Sequence, residues 1–333
     1  MEETIHTRLT SAEMSLIWSQ YINDSATKQL ITYFLTHVDD QGVREILETA
    51  LQATEEHLDF LVALFTKESF PIPTGFTEED VNAGAPRLFS DTYDLMFISH
   101  MTIVGMTAGA LAVSLSTRAD IVQFFRKTLS DGVKLNGAVK ELQLERGVYV
   151  RPPYIPTPQD VTFASTQHYL GSLFGKQRSL NSIEMMHLYI NTQTNVVGKS
   201  LILAFAQVTR SEELRQYFLR GKKIAQKHID LFSDILVADD IPVLQTADTA
   251  VMDSKVAPFS DKLMLFLVSG MTAAGIGNYG TAMAANPRKD VGLKYARLLA
   301  EIALYAEDGA NLLIKNEWLE EPPQAPDRDQ LTK

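Results

Sequence analysis

The sequence predicts an all-α protein made of two tandem four-helix bundles related by internal duplication. Three observations support this prediction: an internal repeat, the helical spacing of apolar residues, and one long loop inside each repeat. The chain has 333 residues, about twice the usual length of one domain. Hydrophobic residues make up 45% and charged residues 21%, as in folded globular proteins. We therefore expect two hydrophobic cores.

The repeat is clearest between residues 86–125 and 256–295, which share 11 identities in 40 ungapped positions. The offset is 170 there, because Asp91 pairs with Asp261 (261 − 91 = 170). Upstream it is 171, because His57 pairs with His228 (228 − 57 = 171). The same Pro-Pro-x-x-Pro sequence ends each copy near residues 156 and 326. These matches predict a first bundle over 1–157, a connecting segment over 158–178 and a second bundle over 179–333.

Four helices are expected in each copy, because apolar residues recur every three or four positions. Capping-box patterns place the first helices at Thr10 and Asn181. The second helices are expected over about 40–67 and 211–237. The third helices should begin at Ser90 and Ser260, and the fourth at Ser116 and at Asn286-Pro287.

A connection of about 20 residues, rich in proline and glycine, separates the second and third helices. One long crossover between two short connections is the topology of ferritin-like bundles, so we expect two ferritin-like bundles. In the segment between the copies, apolar residues predict a short packed helix: Phe163, Tyr169, Leu170, Leu173 and Phe174.

Composition excludes several functional classes. The chain has no cysteine, so disulfides and thiolate chemistry are absent. Residues 1–10 contain no apolar run of the kind found in signal peptides, which favours a cytoplasmic start. The net charge is -11 and no basic cluster stands out, so we expect no nucleic-acid partner.

The third helices are unusual because no charged residue occurs from Leu95 to Leu115 or from Leu263 to Asn286. Such runs are long enough to cross a membrane, but their several polar residues favour a soluble protein. We expect the third helices to pack together, between the copies or in a homodimer. Gly105 and Gly275 would then lie at close contacts, and membrane association is the alternative.

A di-iron centre needs Glu-x-x-His pairs on two helices. Thr54 and Ala225 stand three residues before His57 and His228, and neither binds iron. We therefore expect no di-iron site, no cofactor and no enzymatic activity. Glu184 precedes His187 with this spacing, but its position predicts a helix cap.

A weaker candidate site lies in the second copy, where Glu301 and Asp308 are seven residues apart on one helical face. With His228 they would form a polar cluster or hold a mononuclear metal. The counterparts in the first copy are His57 and Asp131. Inward carboxylates need a partner, and the nearby lysines of the second copy are Lys227 and Lys262.

With the copies aligned, the second resembles the domain-of-unknown-function 3231 family of spore-forming bacilli, and the first does so less closely. The residues that carry the resemblance are Arg178 to Glu184, Lys227-His228-Ile229, Phe259 to Met264, Arg288-Lys289-Asp290, Tyr305 to Gly309, and Trp318-Leu319-Glu320 before Pro322-Pro323. The resemblance implies a ferritin-like fold and similarity to spore coat proteins of the coat protein F type. It implies no catalytic residues.

These observations together favour a non-catalytic structural or interaction protein related to sporulation or the spore coat, located in the cytoplasm or the forespore and spore. A metal- or small-molecule-binding bundle with a site in the second copy is the first alternative. A membrane-associated protein inserting its third helices is the second.

Overall fold

The computed structural model describes residues 7–172, 177–243 and 250–332, and this part of the chain contains eight long helices and no strand. The helices of the first repeat are α1 (Ser11–His37), α2 (Gln41–Lys67), α3 (Asp91–Leu115) and α4 (Ala119–Glu145). Those of the second are α5 (Ser182–Val208), α6 (Glu212–Val237), α7 (Asp261–Ala285) and α8 (Lys289–Lys315). The all-α, two-copy prediction is confirmed.

The helix starts reproduce the register of the repeat. α5 starts 171 residues after α1 (182 − 11) and α7 starts 170 residues after α3 (261 − 91). The change of offset therefore falls in the crossover between the second and third helices. Thr10 and Asn181 cap α1 and α5 with the predicted capping boxes.

The predicted starts of the fourth helices were wrong by two to three residues. The Ser116 hydroxyl donates to the carbonyl of Ala112 (2.7 Å) and thereby closes α3. The amides of Thr117 and Arg118 then donate to Glu13 of α1 at 2.9 and 2.8 Å, so a tertiary contact sets where α4 begins. In the second copy Asn286 caps the end of α7 instead of starting α8.

In the described part of the segment between the repeats, 158–172 and 177–178, the helical stretch is a 3-10 helix, Gln167–Leu170, instead of the expected packed helix. Phe163 is 88% exposed and Tyr169 39%, so these side chains build no core. The Arg178 guanidinium lies 4.3 Å from the Tyr169 ring centre, which uses this aromatic group in a cation–π contact. Leu173 and Phe174 lie outside the described residues.

The first compact unit comprises Met1–Gly84, Ile98–Gln143 and Glu317–Lys333. Its core includes Ile17, Leu61, Phe65 and Phe125. The C-terminal tail belongs to this unit, and the Glu320 carboxylate accepts hydrogen bonds from the amides of Thr74 (3.0 Å) and Gly75 (3.2 Å).

The second compact unit comprises Ala85–Phe97 and Leu144–Asn316. Its core includes Leu188, Phe232, Val291 and Leu298. Residues 85–97 of the first repeat belong to it, with Tyr93 donating to the carbonyl of Val197 (3.3 Å). Each unit therefore contains a segment contributed by the other repeat.

Candidate functional site

A buried histidine on α6 is the centre of a hydrogen-bond chain in the second unit. The His228 side chain is fully buried. Its Nδ1 lies 2.8 Å from the hydroxyl of Tyr279 on α7, and its Nε2 lies 3.0 Å from Oε2 of Glu301 on α8. Three helices are therefore joined through one imidazole ring.

The chain continues at both ends. Lys227 Nζ lies 2.9 Å from the Glu301 carboxylate, and the Asn195 amide of α5 donates to the Tyr279 hydroxyl at 2.7 Å. Because Tyr279 accepts from Asn195, its own proton is available to Nδ1 of His228. The remaining ring proton then lies on Nε2 and is donated to Glu301, which defines the tautomer of the neutral ring.

The electrostatics of this chain favour a neutral histidine beside an ionised glutamate. Burial lowers the pKa of His228 and outweighs the opposing effect of Glu301. Burial would raise the pKa of Glu301, but hydrogen bonds from Lys227 and His228 bring it below the ordinary value. Burial also raises the pKa of Tyr279 well above its usual range. The arrangement holds protons in place at neutral pH and is suited to anchoring helices.

Asp308 does not join this site, and the predicted His228, Glu301 and Asp308 cluster was wrong in that respect. Seven residues of helix separate the two carboxylates by about 10 Å along the axis, too far for one imidazole to reach both. Asp308 instead binds Arg220 at 2.6 Å. Across the described ranges, no group of three or more histidine and acidic side chains is placed to hold a metal ion. Of the two lysines considered, Lys227 binds the carboxylate.

The corresponding histidine of the first unit is flanked by two carboxylates. His57 Nδ1 lies 3.4 Å from Asp24, and its Nε2 lies 3.9 Å from Asp131. Asp24 is the counterpart of Asn195 (195 − 24 = 171), and Gly109 is that of Tyr279 (279 − 109 = 170). Because position 109 is a glycine, no tyrosine bridges α1 and the imidazole of His57. The Asp24 side chain of α1 approaches the imidazole directly.

The stacked pair of Tyr217 and Tyr305 connects α6 and α8 beside the site. The ring centres are 4.3 Å apart, and each hydroxyl donates to the other residue's backbone carbonyl, at 3.2 and 3.4 Å. The Tyr305 hydroxyl lies beside Gly221, and the Tyr217 hydroxyl lies beside Gly309. A Cβ at either glycine would overlap the neighbouring hydroxyl. These glycines are therefore required by the tyrosine pair.

The glutamates at the starts of α1 and α5 act as caps, as predicted. Glu13 is fully buried. Burial alone would raise its pKa, but backbone hydrogen bonds lower it to about 2. Glu184 accepts from its cap residue and from Arg178 at 2.7 and 2.9 Å. Both carboxylates therefore accept hydrogen bonds that stabilise the structure.

The third helices expose uncharged faces. Gly105 is exposed, and no described atom lies within 4 Å of the position its Cβ would take. Gly275 is buried, and a Cβ at this position would lie 3.9 Å from the side chain of Ile302 on α8. Gly275 therefore packs within its own bundle, whereas Gly105 is open to contact.

Fold and site together define a tandem all-helical protein in which each repeat carries a buried histidine on its second helix. The chain belongs to the family described as "Protein of unknown function (DUF3231)", whose model matches residues 3–161 and 169–331. The predicted family and its two tandem copies are thus confirmed.

Comparison with solved structures finds the crystal structure of "a putative spore coat protein" from Bacillus halodurans C-125. That protein is 19% identical, with a TM-score of 0.41. The match covers 45% of this chain and 98% of that one. No curated protein matches the chain.

Proposed function

We propose that this protein is a non-catalytic structural or interaction protein that associates with a second copy of itself through the uncharged faces of α3 and α7. The observation that carries the proposal is the exposure of these faces. A helix face without charge gains free energy when it is removed from water.

The exposed face of α3 lies between residues 103 and 115. Its members are Ile103, Gly105, Thr107, Ala108, Ala110, Leu111, Ser114 and Leu115. Leu111 is 55% exposed and Leu115 48%. Monomeric proteins expose single apolar side chains routinely, but here they share one uncharged strip.

The exposed face of α7 consists of small residues. Gly270, Ala273, Gly277, Thr281 and Ala284 are exposed at intervals of three and four residues, which places them on one side of the helix. Small residues let a second helix approach closely. This face suits helix-to-helix contact with little side-chain entropy to lose.

The hydroxyl groups on both faces are satisfied by their own helices. Thr107 donates to the carbonyl of Ile103 (3.0 Å), Ser114 to that of Leu111 (2.8 Å), and Thr281 to that of Gly277 (3.0 Å). Covering these faces therefore leaves no hydroxyl donor without a partner. The faces are short, so we expect reversible association in the micromolar range or weaker.

Analytical ultracentrifugation of the full chain without detergent tests this proposal. We expect the mass to rise with concentration and Leu111→Glu or Ala273→Glu to weaken association at least tenfold. Leu304→Glu is the matched control, because Leu304 is 64% exposed on α8, outside both faces. A wild-type chain that stays monomeric to several hundred micromolar would refute self-association.

Membrane lipid is the alternative partner of the same faces. α3 and α7 are both long and apolar enough to cross a membrane by length and composition, and 33% and 44% of their most apolar windows are buried. Recovery of the protein only with detergent would replace self-association by this alternative.

The proposal extends to a role in sporulation or the spore coat, with ferritin-like bundles as the scaffold. The resemblance to the coat protein F type supports this context, and the proposed location is the cytoplasm or the forespore and spore. Immunoblotting of fractions from sporulating cells tests it. Signal confined to vegetative cells would contradict it.

A further inference from the structure

A cavity of about 60 Å³, partly open to solvent, lies between the helices of the second bundle. All four helices of this bundle line it, with Gly198 on α5, Gly221 on α6, Met271 and Gly275 on α7, and Ile302 on α8. Tyr279, which hydrogen-bonds to His228, also lines it. The cavity therefore lies among the four helices, beside the hydrogen-bond chain.

The three glycines in the lining are not equivalent. Gly221 is required by the Tyr305 hydroxyl. In contrast, a Cβ on Gly198 would lie 3.6 Å from Met271 and one on Gly275 would lie 3.9 Å from Ile302, both ordinary van der Waals distances. Packing therefore admits alanine at Gly198 and Gly275.

Retaining glycine at these two helical positions has a cost. Glycine in a helix interior is less favourable than alanine by about fivefold in the folding equilibrium. The counterparts of Gly198 and Gly221 in the first copy are Thr27 and Ala50 (198 − 171 and 221 − 171). Gly275 has a glycine counterpart, Gly105 (275 − 170), and Gly221 is required by Tyr305. At Gly198 the second copy thus keeps space that a threonine side chain fills in the first copy.

The chemistry of the lining is mainly apolar. The two threonines in the lining, Thr194 and Thr272, donate their hydroxyl protons to the carbonyls of Ile190 and Val268 (2.9 and 2.8 Å). They offer no free donor to a guest. A cavity of about 150 Å³ lined by apolar side chains takes up xenon or benzene, which has six heavy atoms, so by proportion this one has room for about two or three heavy atoms.

We propose that this cavity is a binding site for a small apolar molecule of about that size. Binding would bury the guest against the side chains of Met271 and Ile302 and the ring of Tyr279. The site is separate from the faces proposed for self-association, and one proposal can fail without the other.

Xenon is the probe, and methionine-methyl NMR of the full chain is the readout. We expect dissolved xenon to shift the methyl signal of Met271 saturably. Met101, the counterpart in the first copy (271 − 170), is the internal control and should not shift. A Met271 signal that does not respond, or responds no more than Met101, would overturn the proposal.

Filling variants sharpen the test. Gly198→Ala and Gly275→Ala should weaken the xenon response of Met271 at least tenfold. Gly292→Ala on α8 is the control, since no described atom lies within 4 Å of its Cβ position, and its response should equal that of wild type. If both filling variants fold and the xenon response of Met271 is unchanged in both, the proposed site is refuted. If neither variant folds, the comparison of Met271 with Met101 in the wild-type protein decides whether the site exists.

Discussion

Removing the Tyr279 hydroxyl should destabilise the second unit and change the titration of His228. Tyr279→Phe keeps the ring, which is 1% exposed, and deletes only the group that joins Asn195 to His228. The Asn195 amide keeps a second acceptor, the carbonyl of Asn191 at 2.7 Å. His228 Nδ1 loses its donor and becomes a buried acceptor without a partner.

An unsatisfied buried polar group costs about 1 to 3 kcal/mol. For a unit of this size, that corresponds to a fall in melting temperature of about 2 to 12 °C. The hydroxyl also stabilises the neutral ring by donating to Nδ1, so its loss should raise the pKa of His228. Thermal and urea unfolding followed by circular dichroism measure the first effect, and NMR titration measures the second.

Tyr154→Phe is the matched control, because Tyr154 is 84% exposed and its hydroxyl meets solvent. Its stability should remain within about 0.5 kcal/mol of wild type. If Tyr279→Phe were as stable as Tyr154→Phe and left the His228 titration unchanged, the hydrogen-bond chain described above would be incorrect.

Three further predictions concern stability, each read by urea unfolding. Glu13→Gln should cost about 1.5 to 3 kcal/mol at pH 7; this loss should shrink as the pH falls from 4.5 toward 2, because the carboxylate with the depressed pKa stabilises only while ionised. Burial lowers the pKa of His100 from 6.5 to about 4, so the unfolded chain binds a proton at this residue at a higher pH than the folded chain does. The free energy of unfolding should therefore fall by about 3 kcal/mol as the pH is lowered through that range. His100→Leu should flatten that dependence. Gly221→Ala should destabilise by about 1 to 3 kcal/mol through overlap with Tyr305, whereas Gly292→Ala should be neutral or stabilising.

Most helix boundaries could be predicted from sequence because their signals are local, and the repeat could be predicted because its identities keep an almost constant offset. Thr10 and Asn181 cap the residues that follow them within one turn. The start of α4 could not be predicted this way, because the amides of Thr117 and Arg118 are held by Glu13, more than 100 positions earlier in the chain. The exchange of segments between units is likewise a tertiary property without a local signal.

The site was predictable only in part. The contact between α6 and α8 was expected because each copy has a histidine on its second helix and a carboxylate at the equivalent position of its fourth. In the second copy these are His228 and Glu301. The contribution of Tyr279 was missed, because it lies in the uncharged stretch of α7, where a tyrosine is indistinguishable from a packing residue. Aligning Asp24 with Asn195 would have pointed to the contribution of α5 to the site, since both copies keep a polar side chain at this position of their first helix.

The proposal of self-association is tested most directly by spin labelling. The chain has no cysteine, so Ala273→Cys on the exposed face of α7 creates a unique attachment point. We predict that the singly labelled protein gives an intermolecular distance below about 30 Å in pulsed dipolar spectroscopy, since helices in contact lie about 10 Å apart, and that Leu304→Cys gives a longer one or none. Absence of dipolar coupling from position 273 at concentrations of several hundred micromolar would contradict the account.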